Sequence, residues 1–451
     1  MKRIVICCDG TWNELDFRVR PVTNVVKIAQ SIHPKAPSIP ADTVPPDDEG
    51  TEQIVFYDEG VGTLEGEALK GGGLGKGLNQ NIIDAYTFLV FNYSPGDEIY
   101  IFGFSRGAYT ARSLVGLIRN SGILRRDRAP YIPVAFDKYK DKSLKPDSEA
   151  MWAFREEYGY PGWWVSKTKI LAGGETEHLE LPAYKQIKIS YLGVWDTVGT
   201  NGVPGVVNAL FGNEEEHGFH DLVLSNIVER ARHAIAIDEY RSLFTPALWA
   251  TTSVKFLNEN TELPVADPND PPYQQMWFPG DHGSVGGGGD ATGLSDITLA
   301  WVAQGAKLHD AGLSYDETFS TVSYPVLIDG KPIKTVEFAP TLTAPLRNVS
   351  EMYQAEKSSA FSRLFGYAMG LVKDDRIGYL DSLDDIHETA KRYRGYDGED
   401  ADYVAQLRKR ILAYTLRSRF NTQAVDDALM VPGAKDEAKK KKKREKKRRG
   451  G

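Results

Sequence analysis

The sequence predicts an α/β protein, with a mostly parallel sheet carrying helices on both faces and a mostly helical C-terminal part. Three observations lead there. Short continuous apolar runs, RIVICC (3–8) and EIYIFGF (98–104), have the character of strands buried on both faces. Segments with apolar residues at spacings of three and four alternate with them, as helices that return the chain to the next parallel strand must. Between these stand loops rich in Gly, Pro and Asp; the 451 residues include 43 glycines and 24 prolines.

The first strand is 3–8. A helix begins near Thr23 and carries Val25, Val26, Ile28, Ala29 and Ile32, followed by a Pro- and Asp-rich loop over 34–52. QIVFY (53–57) is the second strand, and GGGLGKGLN leads into a helix over about 79–93. Pro95-Gly96-Asp97 turns the chain into the strand 98–104. Helical spacing resumes at Arg106, with Ala108, Ala111, Val115 and Ile118. IKISYLGVW (187–195) is a further strand that ends in the loop DTVGTNGVPG. QMWFPGDHGSVGGGGD (275–290) reads as a short apolar run followed by a glycine-rich loop. From about residue 300 the pattern is mostly helical. In FSRLFGYAMGLV (361–372), Phe361, Leu364, Phe365, Ala368, Met369 and Val372 share one stripe, either a core-facing helix or a cap over an apolar substrate site. Three segments are expected: a catalytic domain over 1–310, a helical C-terminal or cap region over 311–431, and a disordered basic tail over 432–451.

Composition narrows the class. Hydrophobic residues at 41% and charged residues at 26% suit a soluble globular body. The only cysteines, Cys7 and Cys8, are adjacent on one strand and face opposite sides, which excludes a disulfide framework and fits a reducing, cytoplasmic compartment. Lys2 and Arg3 precede only five apolar residues before Asp9, unlike a signal peptide, and no run approaches the roughly 20 apolar residues of a membrane-spanning helix. Signal-independent secretion is compatible with this. Net charge is −8, but residues 439–449 (KKKKKREKKRR) carry +9, so the rest of the chain carries −17. An acidic body repels nucleic acid; the tail is a candidate arm for an anionic membrane surface.

Gly103-Phe104-Ser105-Arg106-Gly107 matches the G-x-S-x-G nucleophile elbow, and a strand before it with a helix after it supply the context that pattern requires. A sharp strand-to-helix turn exposes the hydroxyl, and its crowded backbone demands small neighbours two positions away on each side. The alternative is a tight βα turn with an inert serine. The Arg106 amide, at the positive end of the helix dipole, is one oxyanion donor. The second is expected from the loop after the first strand, from the amide of Gly10 or Thr11, with Asp9 either orienting that loop or acting as a minor polar ligand.

The elbow leads the chain order Ser…Asp…His. Of eight histidines, His282 stands in a loop among Gly280, Gly283 and Gly286 to Gly289, where the backbone can set an imidazole above the sheet. His33, His178, His309 and His387 read as surface residues. His217, His220 and His233 fit an acidic loop and a helix. For the acid, Asp196 directly follows a strand, where catalytic groups gather in parallel sheets; its competing role is to cap the next turn. Asp281, Asp290 and Asp238 are weaker candidates. No zinc-ligand spacing is visible, and no metal or cofactor is required.

CDGTWN, GFSRGAYTAR, LGVWDTVG, HAIAIDEYRSLFTPALW and WFPGDHGSVGGG occur in that order. Together they resemble a bacterial α/β-hydrolase-like family, long labelled a domain of unknown function, that includes the catalytic domains of type VI secretion phospholipase effectors. The resemblance covers about residues 1–310. It implies an α/β-hydrolase-like fold, a triad of Ser105, Asp196 and His282, and esterase or phospholipase chemistry. One position departs from the family pattern: Ser284 stands where many members carry an aspartate two residues after the histidine, and Asp281 or Asp290 are its candidate substitutes.

The leading function is a serine hydrolase of carboxylic esters, with lipid or phospholipid acyl esters as substrates. A small-molecule esterase or thioesterase would use the same triad with a smaller pocket. A non-catalytic scaffold recruiting a partner or membrane through the tail is the third reading, and an active-site fluorophosphonate probe separates it from the other two.

Overall fold

A computed structural model describes residues 1–10, 22–36, 50–60, 73–160, 167–170, 176–179, 187–198, 223–241, 244–261, 263, 265, 270–289, 292–307, 312–315, 324–328, 331–336, 376–387, 390, 403–415 and 422–429. The 361–372 stripe and the basic tail lie outside these residues.

Among the described residues up to 278 the strands are β1 (Arg3–Cys8), β2 (Lys35–Ala36), β3 (Thr51–Asp58), β4 (Glu98–Phe104), β5 (Lys167–Ile170), β6 (Thr176–Leu179), β7 (Tyr191–Trp195), β8 (Ala231–Ala236) and β9 (Tyr273–Phe278). Seven of them form one sheet in the order β2-β3-β1-β4-β7-β8-β9. Every pairing in it is parallel except the short β2–β3 ladder. β5 and β6 form a separate antiparallel pair.

Side-chain alternation along the strands divides the core. Ile4, Ile6 and Cys8 face α2 (Gly73–Asn92) and α3 (Arg106–Ser121), where Tyr86, Leu89, Leu114 and Ile118 meet them. Val5 and Cys7 face α1 (Asn24–Ser31) and, further along the chain, the helix Gly293–Gly305, through Val25, Ile28, Leu299 and Val302. The two cysteines are accordingly free, buried and on opposite faces. α4 (Ile132–Lys140) and α5 (Glu149–Tyr158) extend the α3 layer through Phe136 and Phe154. Below, α6 is Thr251–Glu259, α7 is His282–Gly286 and α8 is the helix Gly293–Gly305.

Strand order locates the site. After β1 the chain adds β3 on one side, then crosses back to place β4 on the other. β1 and β4 are paired neighbours whose next sheet partners, β3 and β7, lie in opposite directions, so a topological switch point falls between their C-terminal ends, where ligands bind in open parallel sheets.

The C-terminal elements pack on the far edge of this sheet. Leu380, Leu383, Ile386, Tyr403, Leu407, Ile411, Val425 and Leu429 form one core with Ile235, Ile237, Trp277 and Leu294. They come from turns at Arg376–Tyr379 and Leu383–Asp385, α9 (Tyr403–Thr415) and α10 (Thr422–Ala428). A parallel bridge from Trp277 to Ile386 covers the β9 edge. Among the described residues no helix is long and apolar enough to cross a membrane.

Several local expectations change. The segment around His233 is the buried strand β8, not a helix; its six residues, ARHAIA, are too few to show a period that separates the two. The glycine-rich stretch after β9 is not all loop: Asp281 caps α7 within it. The region beyond 300 also holds a hairpin of β10 (Tyr324–Ile328) and β11 (Lys331–Val336).

Candidate active site

Ser105 sits where β4 ends and α3 begins, with φ 57° and ψ −123°. An L-residue pays steric strain there, and such strain persists only where the surroundings enforce it. They do. A Cβ on Gly107 would lie 2.2 Å from the Cys8 carbonyl oxygen and 2.3 Å from that of Asp9, and one on Gly103 would lie 2.5 Å from the Gly107 carbonyl oxygen. The two glycines let α3 press against the ends of β1 and β4. Ser105 heads α3 without using its side chain as a cap. Its amide donates to Trp195 O at 3.0 Å, and its carbonyl accepts from Val198 N at 3.4 Å, so the elbow is stitched to the loop after β7.

Asp196 is the first residue of that loop, is fully buried and has φ 38°. Its Oδ2 lies 2.5 Å from His282 Nδ1. Its Oδ1 accepts from Arg376 Nη1 at 2.6 Å and from the Ala236 amide at 3.0 Å. Burial works to raise its pKa, but Arg376 and then His282 outweigh it and hold the carboxyl well below the usual carboxylate range. An ionised carboxylate only accepts, so Nδ1 of His282 carries the proton and Nε2 is left as the basic nitrogen.

The imidazole of His282 lies between the rings of Phe104 and Phe244, at centroid distances of 4.6 and 4.7 Å. Phe104 immediately precedes Ser105, so this contact brings histidine and serine to the same end of β4. Gly286 makes room for it, since a Cβ there would overlap the Phe104 ring. The His282 amide donates to Glu239 Oε2 at 3.3 Å. Glu239 is buried; burial opposes its ionisation, but Arg241, bound through Nε at 2.8 Å and Nη2 at 2.6 Å, lowers its pKa.

Asp9 takes a clear part. It accepts from Thr23 Oγ1 at 2.6 Å, Tyr57 Oη at 2.9 Å and the Gly10 amide at 2.6 Å. The Gly10 N–H is thereby turned toward Asp9. Next to Thr23, Asn24 Nδ2 donates to Val285 O at 3.0 Å, so the loop after β1 and the histidine-bearing α7 are tied through the start of α1. The Arg106 amide lies in the first turn of α3, among N–H groups that have no intrahelical partner. Burial pushes the Arg106 guanidinium down to about 10.

The remaining candidates separate. Asp281 accepts from the amide and hydroxyl of Ser284, both at 2.8 Å, and burial raises its pKa, so this pair forms the α7 cap beside His282. Asp238 binds the Gly280 amide at 2.7 Å, Arg410 Nη1 at 2.6 Å and Tyr403 Oη at 2.9 Å, which anchors α9 to the turn before the histidine. His233 is fully buried, with Nδ1 3.0 Å from Gln275 Oε1 and Nε2 accepting from the Thr197 amide at 3.3 Å. Burial, then Arg112, push its pKa down to about 3, so it stays neutral. His33 is exposed, whereas His387 is not a free surface residue: it stacks on Phe278 at 4.2 Å. His178 lies in β6. Thr11, Asp290, His217, His220 and His309 lie outside the described residues. Sequence reasoning missed Glu239, Arg241, Phe244 and Arg376. The first three lie in IDEYRSLF, whose mixed apolar and charged content was the available signal; Arg376 had none.

A doubly wound parallel sheet with a strained serine at its switch point defines an α/β-hydrolase-like protein. The chain belongs to the type VI secretion system (T6SS) family of Tle1-like phospholipase effector catalytic domains, whose model matches residues 2–305. A curated relative is the uncharacterized protein YEL023C of Saccharomyces cerevisiae, 28% identical over an alignment of 258 residues, with 54% of this chain and 32% of that protein covered. Similar solved structures include the Tle1 effector bound to the VgrG spike from the type 6 secretion system, at 18% identity and TM-score 0.34, covering 65% of this chain and 52% of that one. Another is an uncharacterized protein from Pseudomonas aeruginosa, at 15% identity and TM-score 0.38, covering 96% and 62%. The chain thus spans about a third of the yeast relative and about half of the Tle1 chain.

Proposed function

We propose that the protein is a serine hydrolase of lipid or phospholipid acyl esters, acting through Ser105, His282 and Asp196. The observation that carries this reading is the buried 2.5 Å contact between His282 Nδ1 and Asp196 Oδ2, at the same sheet end as a serine with φ 57°. Nε2 of His282 accepts the Ser105 proton as Oγ attacks the acyl carbonyl, and Asp196 holds the tautomer and stabilises the imidazolium. The Arg106 amide receives the developing oxyanion with a second donor from the loop after β1. Of the two candidates there, the Gly10 amide already serves Asp9, which favours Thr11. The imidazolium then protonates the leaving alcohol, and water attacks the acyl-enzyme by the reverse of these steps. The lipid class follows from the family; a small-ester specificity would appear as equal turnover of short-chain and phospholipid substrates. The catalytic unit is assigned to 1–310, and residues 439–449 to contact with an anionic membrane surface.

The test is Ser105→Ala. Loss of a triad nucleophile removes about six orders of magnitude in turnover. The variant is expected to keep its unfolding temperature, lose phospholipid and short-ester hydrolysis, and escape fluorophosphonate labelling. Undiminished hydrolysis would remove Ser105 from the mechanism.

A further inference from the structure

We infer that Arg376, a residue beyond the end of the matched catalytic domain at 305, is a positioning residue of the active site: it locks Asp196 in the one orientation that serves His282. The inference rests on the reading of Asp196 as the triad acid.

Three features support it. Arg376 is buried to 1% exposure, and both its Nη nitrogens donate to the site, while its buried Nε has no hydrogen-bond partner among the described residues. Nη1 donates to Asp196 Oδ1 at 2.6 Å and to Ala236 O at 2.9 Å, and Nη2 donates to Phe244 O. The carboxylate is therefore divided. Oδ1 receives two fixed donors, Arg376 Nη1 and the Ala236 amide, and among the described residues Oδ2 is bound by His282 Nδ1. A planar guanidinium bridging a side-chain carboxylate and main-chain carbonyls sets an angle as well as a charge, which a lysine cannot reproduce.

The contact to Phe244 O acts on the histidine from its other side, because the Phe244 ring lies 4.7 Å from the imidazole. One side chain thus holds both the acceptor for Nδ1 and a wall of the ring's slot. Charge balance points the same way. Asp196 has no exposed surface, and a lone carboxylate there would protonate or draw in water. Arg376 supplies the compensating charge through Oδ1 and leaves the His282 contact at Oδ2 in place. The segment that delivers Arg376 is held by Leu380, Leu383 and Ile386 in the core shared with β8 and β9. The C-terminal part therefore completes the site and is not merely appended to it.

The experiment is a double-mutant cycle on the full chain with Arg376→Met, Asp196→Asn and the pair, plus Arg376→Lys. Readouts are kcat and KM on a soluble ester, together with thermal unfolding. Asp196→Asn is expected to lower kcat about 10⁴-fold, because its amide turns toward His282 and selects the wrong tautomer. Arg376→Met is expected to lower kcat about 10²- to 10³-fold with KM within about twofold, and Arg376→Lys to recover at least about tenfold. In the Asp196→Asn background, Arg376→Met should cost less than about threefold, since the residue acts through the carboxylate already lost. Each single change leaves a buried charge unpaired and lowers the unfolding temperature; the double variant should recover part of that loss. If Arg376→Met does not fold, Arg376→Lys and its double with Asp196→Asn carry the same cycle.

Losses that multiply, or a KM effect with kcat intact, overturn the role of Arg376 and leave the triad standing. Unchanged kcat in Asp196→Asn overturns both.

Discussion

Gly107→Ala tests the packing that creates the elbow. The added Cβ would lie 2.2 Å from Cys8 O and 2.3 Å from Asp9 O, both main-chain atoms. Ordinary contact is about 3.4 Å, so α3 and the end of β1 must part by roughly 1 Å. That end cannot yield alone, because Asp9 is held by Thr23, Tyr57 and the Gly10 amide. Overpacking of this kind costs about 1–3 kcal/mol, which lowers the unfolding temperature of a chain this long by roughly 1–3 °C. The same displacement moves the end of β1 relative to Ser105, and a 1 Å misplacement costs about 10² in rate. Gly116→Ala, in the same helix, is the control. The nearest atoms to its Cβ are side-chain atoms of Tyr139, from 3.0 Å, not backbone, and alanine gains about 1 kcal/mol of helix propensity. Calorimetry and kcat/KM on a soluble ester should separate the two variants clearly. If Gly107→Ala matches Gly116→Ala in both, the close approach does not shape the site and the reasoning fails.

Other expectations follow from the same geometry. His282→Ala should abolish turnover nearly as fully as Ser105→Ala, and the double variant should be little worse than either; multiplicative losses would place His282 elsewhere. His233 has a folded pKa of about 3 against an unfolded value near 6.5, so only the unfolded chain takes up its proton as pH falls between those values, and stability is lost on that side. From pH 7 to 5 this amounts to about 2 kcal/mol, to be read as the excess loss of the parent over His233→Gln in denaturant unfolding; equal losses would refute it. Deleting 434–451 should leave soluble-ester hydrolysis unchanged and weaken sedimentation with anionic vesicles. Each engaged Lys or Arg is worth about 1 kcal/mol, and the difference should shrink as salt shortens the roughly 8 Å screening length. Equal sedimentation at low salt would rule out the tether.

The sheet was legible wherever burial leaves a local mark. β1 and β4 are unbroken apolar runs because both of their faces are covered, and the predicted ends at 3–8 and 98–104 match the structure. The glycines around Ser105 were legible too, since a strained turn excludes Cβ atoms at fixed offsets. β8 was not, because a six-residue run is too short to show a period. Tertiary structure alone decided how the distant groups meet. Strand order put the end of β1 beside Ser105, and the loop after β7 brought Asp196 within 2.5 Å of His282. It also separated His282, at the start of α7, from His233, inside β8: both are buried, but their partners differ. Arg376 is the extreme case: 180 residues from Asp196, in a segment with no motif, its role exists only once a shared apolar core carries it to the sheet edge. Local sequence records what a residue's own backbone requires. Hydrogen bonds across the chain depend on topology, which no short stretch encodes by itself.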